Sequence, residues 1–287
     1  MEHLHTHHGD IKRSIGAILI SEGRLTPEAA ERIVRKQHER DALFGEVGIE
    51  LGLITRQDVE FAIARQYDYS VLTPGQSPIS TQVVAAYEPH GFQAEGLRAL
   101  RTQLLWRWLE TQPISKTLAI VSASSGEGRS HLAANLAVVF SQLGHRTVLV
   151  DADLRKPGLH DLFGFSNRSG LSTILQGRTE SELIKPVDQL SNLHLLPSGP
   201  TPPNPQELLS SERFAKLLSD LGQQFDMVIL DTPASSEYAD ASAVSARAGA
   251  ALAVARKGHT SVAELKSVKE SFQRLGANLL GSVLVEF

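Results

Sequence analysis

From residue 114 onward, short apolar runs alternate with amphipathic stretches of helical period, and this alternation restricts the fold more than any other feature of the chain. The runs at 117–121, 147–150, 227–230, 250–254 and 279–284 are built mainly from Val, Ile, Leu and Ala. Between them, 132–143, 214–221 and 262–275 carry apolar residues three and four positions apart. Strands that alternate with helices of that length imply βαβ units, hence an α/β fold with a mostly parallel sheet flanked by helices. Ligands on such sheets sit at the carboxyl ends of the strands, so the strand-end residues are the ones to read for chemistry.

The first strand runs into Ser122-Ala123-Ser124-Ser125-Gly126-Glu127-Gly128-Arg129-Ser130, and a helix follows at once. Gly126 and Gly128 allow the backbone to approach a phosphate closely, and the loop N–H groups with the helix dipole supply positive potential there. Against the phosphate-loop pattern G-x-x-x-x-G-K-[ST], Ala123 replaces the first Gly and Arg129 replaces the Lys, while Ser130 stands where the hydroxyl meets Mg²⁺. We expect a phosphate-bearing ligand to contact Ser125, Gly126, Glu127, Gly128, Arg129, Ser130 and His131. The next strand ends in Asp151-Ala152-Asp153-Leu154-Arg155, and a later one in Asp231-Thr232-Pro233. Both motifs put carboxylates on the rim where the loop lies. Mg²⁺ takes one or two carboxylates plus phosphate oxygens, so Ser130, Asp153 and Asp231 are the expected metal residues.

The N-terminal part has a different grammar. Residues 1–10 form a polar tail with His3, His5, His7 and His8, which could ligate a metal but are expected to lack fixed geometry. Within 11–70, a shift of 29 positions aligns Gly16 with Gly45, Ile20 with Ile49, Gly23 with Gly52, Thr26 with Thr55, Glu31 with Glu60 and Gln37 with Gln66. Each copy reads as a short helix, a Gly stop, a Thr N-cap and a longer helix, which predicts a small all-α domain. Pro74, Gly75, Pro78, Pro89 and Gly91 mark 71–92 as a linker. A helix is expected over 94–110, with Leu97, Leu100, Leu104, Leu105 and Trp108 on one stripe.

Composition excludes several classes. The net charge of −4 argues against a non-specific nucleic-acid binder. The absence of cysteine excludes a disulfide scaffold and fits a reducing cytoplasm. The longest apolar run has eight residues, 248–255, whereas a spanning helix needs about 20.

The loop at 122–130, the Asp-x-Asp-x-Arg at 151–155 and the Asp-Thr-Pro at 231–233 resemble the Walker A, A′ and B motifs of bacterial protein-tyrosine kinases of capsule and exopolysaccharide synthesis. The resemblance spans 93–287 and takes in Asn135-Leu136-Ala137, Pro203-Asn204-Pro205 and Glu207-Leu208-Leu209. It implies a P-loop ATPase that uses ATP with Mg²⁺, forms a cyclic homo-oligomer through Glu95, Arg98 and Arg101, and is activated by a membrane-bound chain-length determinant. It further implies a cytoplasmic protein recruited to the inner face of the membrane. In that family the residues matching Asp153 and Asp231 organise Mg²⁺ and the one matching Asp151 is the proposed base; Arg129 would meet the phosphates. Three departures stand out: Arg129 for Lys, Val285 where relatives carry an Asn beside adenine, and no tyrosine-rich tail. The tyrosines are Tyr67, Tyr69, Tyr87 and Tyr238, which points toward phosphorylation of another protein. The small domain resembles the N-terminal domain of secretion and pilus ATPases, some of which bind cyclic di-GMP through an Arg two residues before the repeat Gly. Ser14 and Leu43 stand there, with Arg13 one place off, which favours protein docking. Two other readings stay open: a non-catalytic, nucleotide-gated assembly protein of the same machinery, and a partition-type ATPase, whose early loop Lys is here Ser124.

Overall fold

The computed structural model describes residues 14–286 apart from 41, 67–70, 112–115 and 179–182. The His-bearing tail, Arg13, Tyr67 and Tyr69 lie outside the described residues. The chain divides into two compact units, Met1–Val71 and Leu72–Phe287.

The small unit holds α1 (Ile15–Ser21), α2 (Pro27–Arg40), α3 (Phe44–Glu50) and α4 (Arg56–Gln66). The 29-residue repeat becomes two helical pairs. Gly23 and Gly52 follow α1 and α3 at φ +69° and +64°, a left-handed backbone that favours glycine. The Thr26 hydroxyl oxygen accepts from the N–H of Ala29, and that of Thr55 from the N–H of Asp58, each at 3.2 Å. These bonds satisfy N–H groups that a helix start leaves open. Leu19, Leu25, Ile33, Val47, Ile54 and Phe61 form the buried core. The equivalent Gly16 and Gly45 are small because their helices touch there: an added Cβ would lie 3.0 Å from the Phe44 ring or 2.9 Å from Val59 Cγ1.

The large unit begins with α5 (Val84–Tyr87) and α6 (Phe92–Leu104). The single helix expected over 94–110 is corrected here: α6 gives way to a π-helical turn over Leu105–Leu109, which carries the buried Trp108. Strands β1 (Thr117–Ser122), β2 (Thr147–Asp151), β3 (Lys185–Pro186), β4 (Leu193–Leu196), β5 (Met227–Asp231), β6 (Ala250–Arg256) and β7 (Asn278–Val285) form one sheet in the order β3-β4-β2-β5-β1-β6-β7. All pairings are parallel except β3 with β4 at one edge. The connecting helices are α7 (Arg129–Gln142), α8 (Leu159–Phe163), α9 (Leu171–Leu175), α10 (Pro205–Ser210), α11 (Glu212–Gln224), α12 (Asp240–Ala248) and α13 (Val262–Arg274).

The strands are buried on both faces, as the continuous apolar runs require. Alternate residues feed two cores: Leu118, Ile120, Leu149 and Ile229 face one with α7, while Ala119, Val121, Val148 and Val228 face the other with α11 and α13. From β1 the chain passes through α7 to β2 on one side, whereas from β5 it passes through α12 to β6 on the other. The winding therefore reverses around β1 and β5, where a crevice opens at the strand ends.

Residues 72–91, expected as a linker, lie against this unit. Leu72, Ile79, Val83, Ala85 and Ala86 are buried in the α7-side core. The N–H of Ala85 donates to Asn135 Oδ1 at 2.9 Å, and that of Ser80 to the Leu162 carbonyl at 2.8 Å. Among the described residues, no helix is long and apolar enough to cross a membrane.

Candidate functional site

The phosphate loop begins where β1 ends. Its turn depends on two left-handed glycines, Gly126 at φ +74° and Gly128 at φ +88°, which no branched side chain would tolerate. Gly128 is the N-cap of α7, and the helix that starts at Arg129 is almost wholly buried behind it. Its unpaired N–H groups and dipole therefore lie at the crevice, a geometry suited to anions. Glu127 braces the loop. One of its carboxylate oxygens accepts from the N–H of Ser124 at 3.0 Å and the other from the hydroxyl of Thr260, and the residue is fully buried.

Register brings the carboxylates together. Asp151 pairs with Asp231 across β2 and β5, and Asp231 pairs with Ile120 of β1. Asp151 is fully buried. Its Oδ1 accepts from the N–H of Asp153 at 3.3 Å, and its Oδ2 from the N–H groups of Gly158 and Leu159 at 3.2 Å each. Burial, and then the negative charge of Asp231, push this carboxyl well above its ordinary range. Asp231 is also fully buried, and neither of its carboxylate oxygens has a well-formed hydrogen bond among the described residues. Burial raises it to about 7, against the Ser130 side chain and the positive charge of Arg129, and Asp153 adds to the rise. Asp153 stands at the turn after β2, where its Oδ1 accepts from the N–H groups of Arg155 and Lys156 at 3.1 and 2.9 Å.

A cavity of about 380 Å³ opens beside these strand ends. Ser125, Gly126, Gly128, Arg129, Ser130, His131 and Asp153 border it, so the structure gathers most of the sequence-selected residues around one cavity. Burial lowers the His131 imidazole and keeps it neutral near pH 7, against the hydrogen bond that the ring donates to the Gln82 backbone carbonyl. Glu127, Asp151 and Asp231 are not on the lining; they lie buried at the loop and strand ends. Among the described residues no group of three or more His, Cys, Asp or Glu forms a metal cage.

Two side chains have partners within the protein that the sequence did not indicate. Arg129 was expected to reach phosphate oxygens, yet its Nε donates to the Thr232 carbonyl at 2.8 Å, and its Nη1 to the Ser124 carbonyl at 2.9 Å and to the Ser122 hydroxyl. A planar fork at the helix start finds acceptors on β1 and β5 at once and straps the loop to both strands. Arg101 was expected on an oligomer face with Glu95 and Arg98. Instead its side chain is buried and Nη1 donates to the Val139 carbonyl of α7. Glu95 and Arg98 pair on the surface of α6. Val285 ends β7 and is not on the cavity lining.

The cavity is also bordered by Arg155 of the Asp-x-Asp-x-Arg motif and by Lys156, Glu237, Tyr238 and Gln82, which the sequence did not mark as site residues. Arg155 makes a forked ion pair with the buried Asp240, at 2.7 and 3.2 Å, and its guanidinium lies 3.8 Å over the Tyr238 ring. Lys156 Nζ meets Glu237 Oε2 at 2.9 Å. The adjacent Arg155-Lys156 after a strand-end Asp pair was the available signal; their partners, more than 80 residues away, left none.

Comparison with known proteins places this geometry. A model described as "ParA: NUBPL iron-transfer P-loop NTPase" matches residues 113–283. Tyrosine-protein kinase YwqD of Bacillus subtilis is 37% identical over 208 residues, which cover 72% of this chain and 87% of that protein. A putative tyrosine-protein kinase CapB of Staphylococcus aureus is 34% identical, over 69% of this chain and 86% of the relative. The solved kinase domain of the Escherichia coli tyrosine kinase ETK superposes with a TM-score of 0.68 at 33% identity, covering 71% of this chain and 79% of the other.

Proposed function

The chain belongs to the ParA-type P-loop NTPases and to the bacterial protein-tyrosine kinases, and on that premise we propose that it binds ATP with Mg²⁺ at residues 122–130 and transfers the terminal phosphoryl group to a tyrosine hydroxyl of another protein. The observation that carries this reading is Asp231, fully buried at the end of the strand beside the phosphate loop, with no well-formed hydrogen bond to either carboxylate oxygen and the Ser130 side chain beside it. A buried carboxylate left so is costly, and a hard cation with the Ser130 hydroxyl and Asp153 close by would satisfy it. Ser130, Asp153 and Asp231 are thus the residues that would hold Mg²⁺, which when bound neutralises charge on the phosphates.

The protein's own part is mostly positioning, which is what phosphoryl transfer demands. The N–H groups of the loop and of the first turn of α7 hold the phosphates of the nucleotide. Arg129 keeps the loop in register with β1 and β5. Asp151 is the group proposed to take the proton of the incoming tyrosine hydroxyl. Burial and the charge of Asp231 raise its affinity for a proton, which suits a base. A second reading, a nucleotide-gated assembly protein without transfer, is favoured by one observation: Arg129 and both oxygens of Asp151 are already engaged within the protein.

We further propose a setting in capsule or exopolysaccharide synthesis, regulation of chain length or export, a cytoplasmic location at the inner face of the membrane, a membrane-bound chain-length determinant as partner, and a homo-oligomer that uses Glu95 and Arg98. The small unit is proposed to dock a protein. Ser14 caps α1 by accepting from the N–H of Ala17, and Leu43 is an exposed apolar residue at the start of α3, so neither offers the guanidinium a cyclic dinucleotide would need.

The test is release of ADP and formation of phosphotyrosine on a Glu-Tyr copolymer, for wild type and Asp153→Asn. The asparagine keeps an oxygen for the N–H groups of Arg155 and Lys156 but removes the charge. Kinase function requires both products from the wild type and a loss of at least tenfold in the variant. Mg²⁺-dependent nucleotide binding with neither product establishes the assembly reading.

A further inference from the structure

Three cationic side chains border the cavity besides the neutral His131: Arg129, Arg155 and Lys156. A nucleoside triphosphate brings several negative charges, and the terminal phosphate needs a donor that can move onto it. Arg129 has Nε and Nη1 committed to three acceptors and is 9% exposed. Arg155 is forked onto the buried Asp240 and packed on the Tyr238 ring, so moving it would leave an unpaired buried carboxylate. Lys156 differs on each count. Its side chain is 67% exposed, and its single partner, Glu237, is 33% exposed. A pair of that kind contributes little and separates readily. Its backbone is fixed, because its N–H donates to Asp153 Oδ1 at 2.9 Å, which roots the flexible stem beside the expected metal carboxylate.

We infer that Lys156 supplies the mobile positive charge for the terminal phosphate, and that Glu237 holds the ammonium across the cavity mouth until a nucleoside triphosphate displaces the carboxylate. The exchange is of ion-pair partners only, with no bond made or broken. It links the turn after β2 with the loop after β5, so triphosphate binding releases Glu237 and frees one side of the cavity for the acceptor. This inference rests on the reading that residues 122–130 bind nucleotide.

Titration of wild type, Lys156→Ala, Lys156→Arg and Glu237→Gln with Mg²⁺-ADP and with a non-hydrolysable Mg²⁺-ATP analogue tests it. Lys156→Ala should weaken the triphosphate analogue about tenfold, the loss of one charge-assisted bond, and ADP by less than about twofold. Lys156→Arg should recover part of the loss. Glu237→Gln should tighten the triphosphate, because its competitor is gone. Apo melting temperatures should stay within about 1–2 °C of wild type, as befits an exposed pair. Equal weakening of both nucleotides, no weakening, or a weaker triphosphate in Glu237→Gln overturns the inference while leaving nucleotide binding intact. A wild type that binds neither nucleotide overturns the site reading itself.

Discussion

Replacing Arg129 with alanine separates a structural strap from a phosphate ligand. The side chain makes three bonds in the ligand-free protein, to the Thr232 and Ser124 carbonyls and the Ser122 hydroxyl, and sits 9% exposed. A hydrogen bond from a charged donor contributes about 1.5–3 kcal/mol, and an acceptor left buried and unpaired adds its desolvation. The full sum overstates the loss, because about 2 kcal/mol of side-chain entropy is recovered and the loop relaxes. We take about 3–5 kcal/mol, the range for breaking a buried charged contact. For a unit of 150–250 residues, 1 kcal/mol moves the midpoint by about 2–4 °C, so the apo melting temperature should fall by roughly 6–20 °C. Both tryptophans, Trp106 and Trp108, lie in the large unit, so intrinsic fluorescence reports its unfolding directly. Arg129→Lys should fall between wild type and alanine, since an ammonium keeps the charge but cannot fork across two strands. If Arg129→Ala melts within about 2 °C of wild type without ligand, the strap argument is refuted and the side chain belongs to the phosphates.

Two further outcomes follow from the same geometry. Asp231 is raised from 3.8 to about 7, so between those values the folded chain keeps a proton that the unfolded chain has released. Apo stability must therefore decline as pH rises through about 4 to 7 and level off above, and Asp231→Asn should flatten that decline in a series of melts, leaving the share due to Asp151. An undiminished slope in the variant would show that Asp231 does not hold the proton. On α6, Arg101→Ala should lower the melting temperature, because the Val139 carbonyl loses a charged donor. Arg98→Ala, which removes a largely covered side chain paired with the exposed Glu95, should shift the light-scattering mass toward monomer if that face joins subunits.

What the sequence determined by itself was local in origin. Continuous apolar runs alternating with helical stretches specify a parallel sheet, since each strand must bury both faces. The Gly-bearing loop between β1 and α7, and the Asp residues that end β2 and β5, could be placed because ligands gather at the carboxyl ends of such strands. The small unit was legible for a similar reason: repeated Gly and Thr positions set stops and caps within a few residues of themselves. Tertiary structure decided the rest. That Asp151 stands opposite Asp231 depends on the order of strands 80 residues apart, which no periodicity encodes. The segment 72–91 reads as a linker because its Pro and Gly residues break any period, yet Leu72, Ile79 and Val83 find a core on α7. Arg129 carries the same charge wherever it points; only the tertiary structure shows that, without ligand, it bonds the carbonyls of Ser124 and Thr232, brought together by the pairing of β1 with β5. Non-local contacts choose among the options that a side chain's chemistry leaves open, and the sequence lists those options without ranking them.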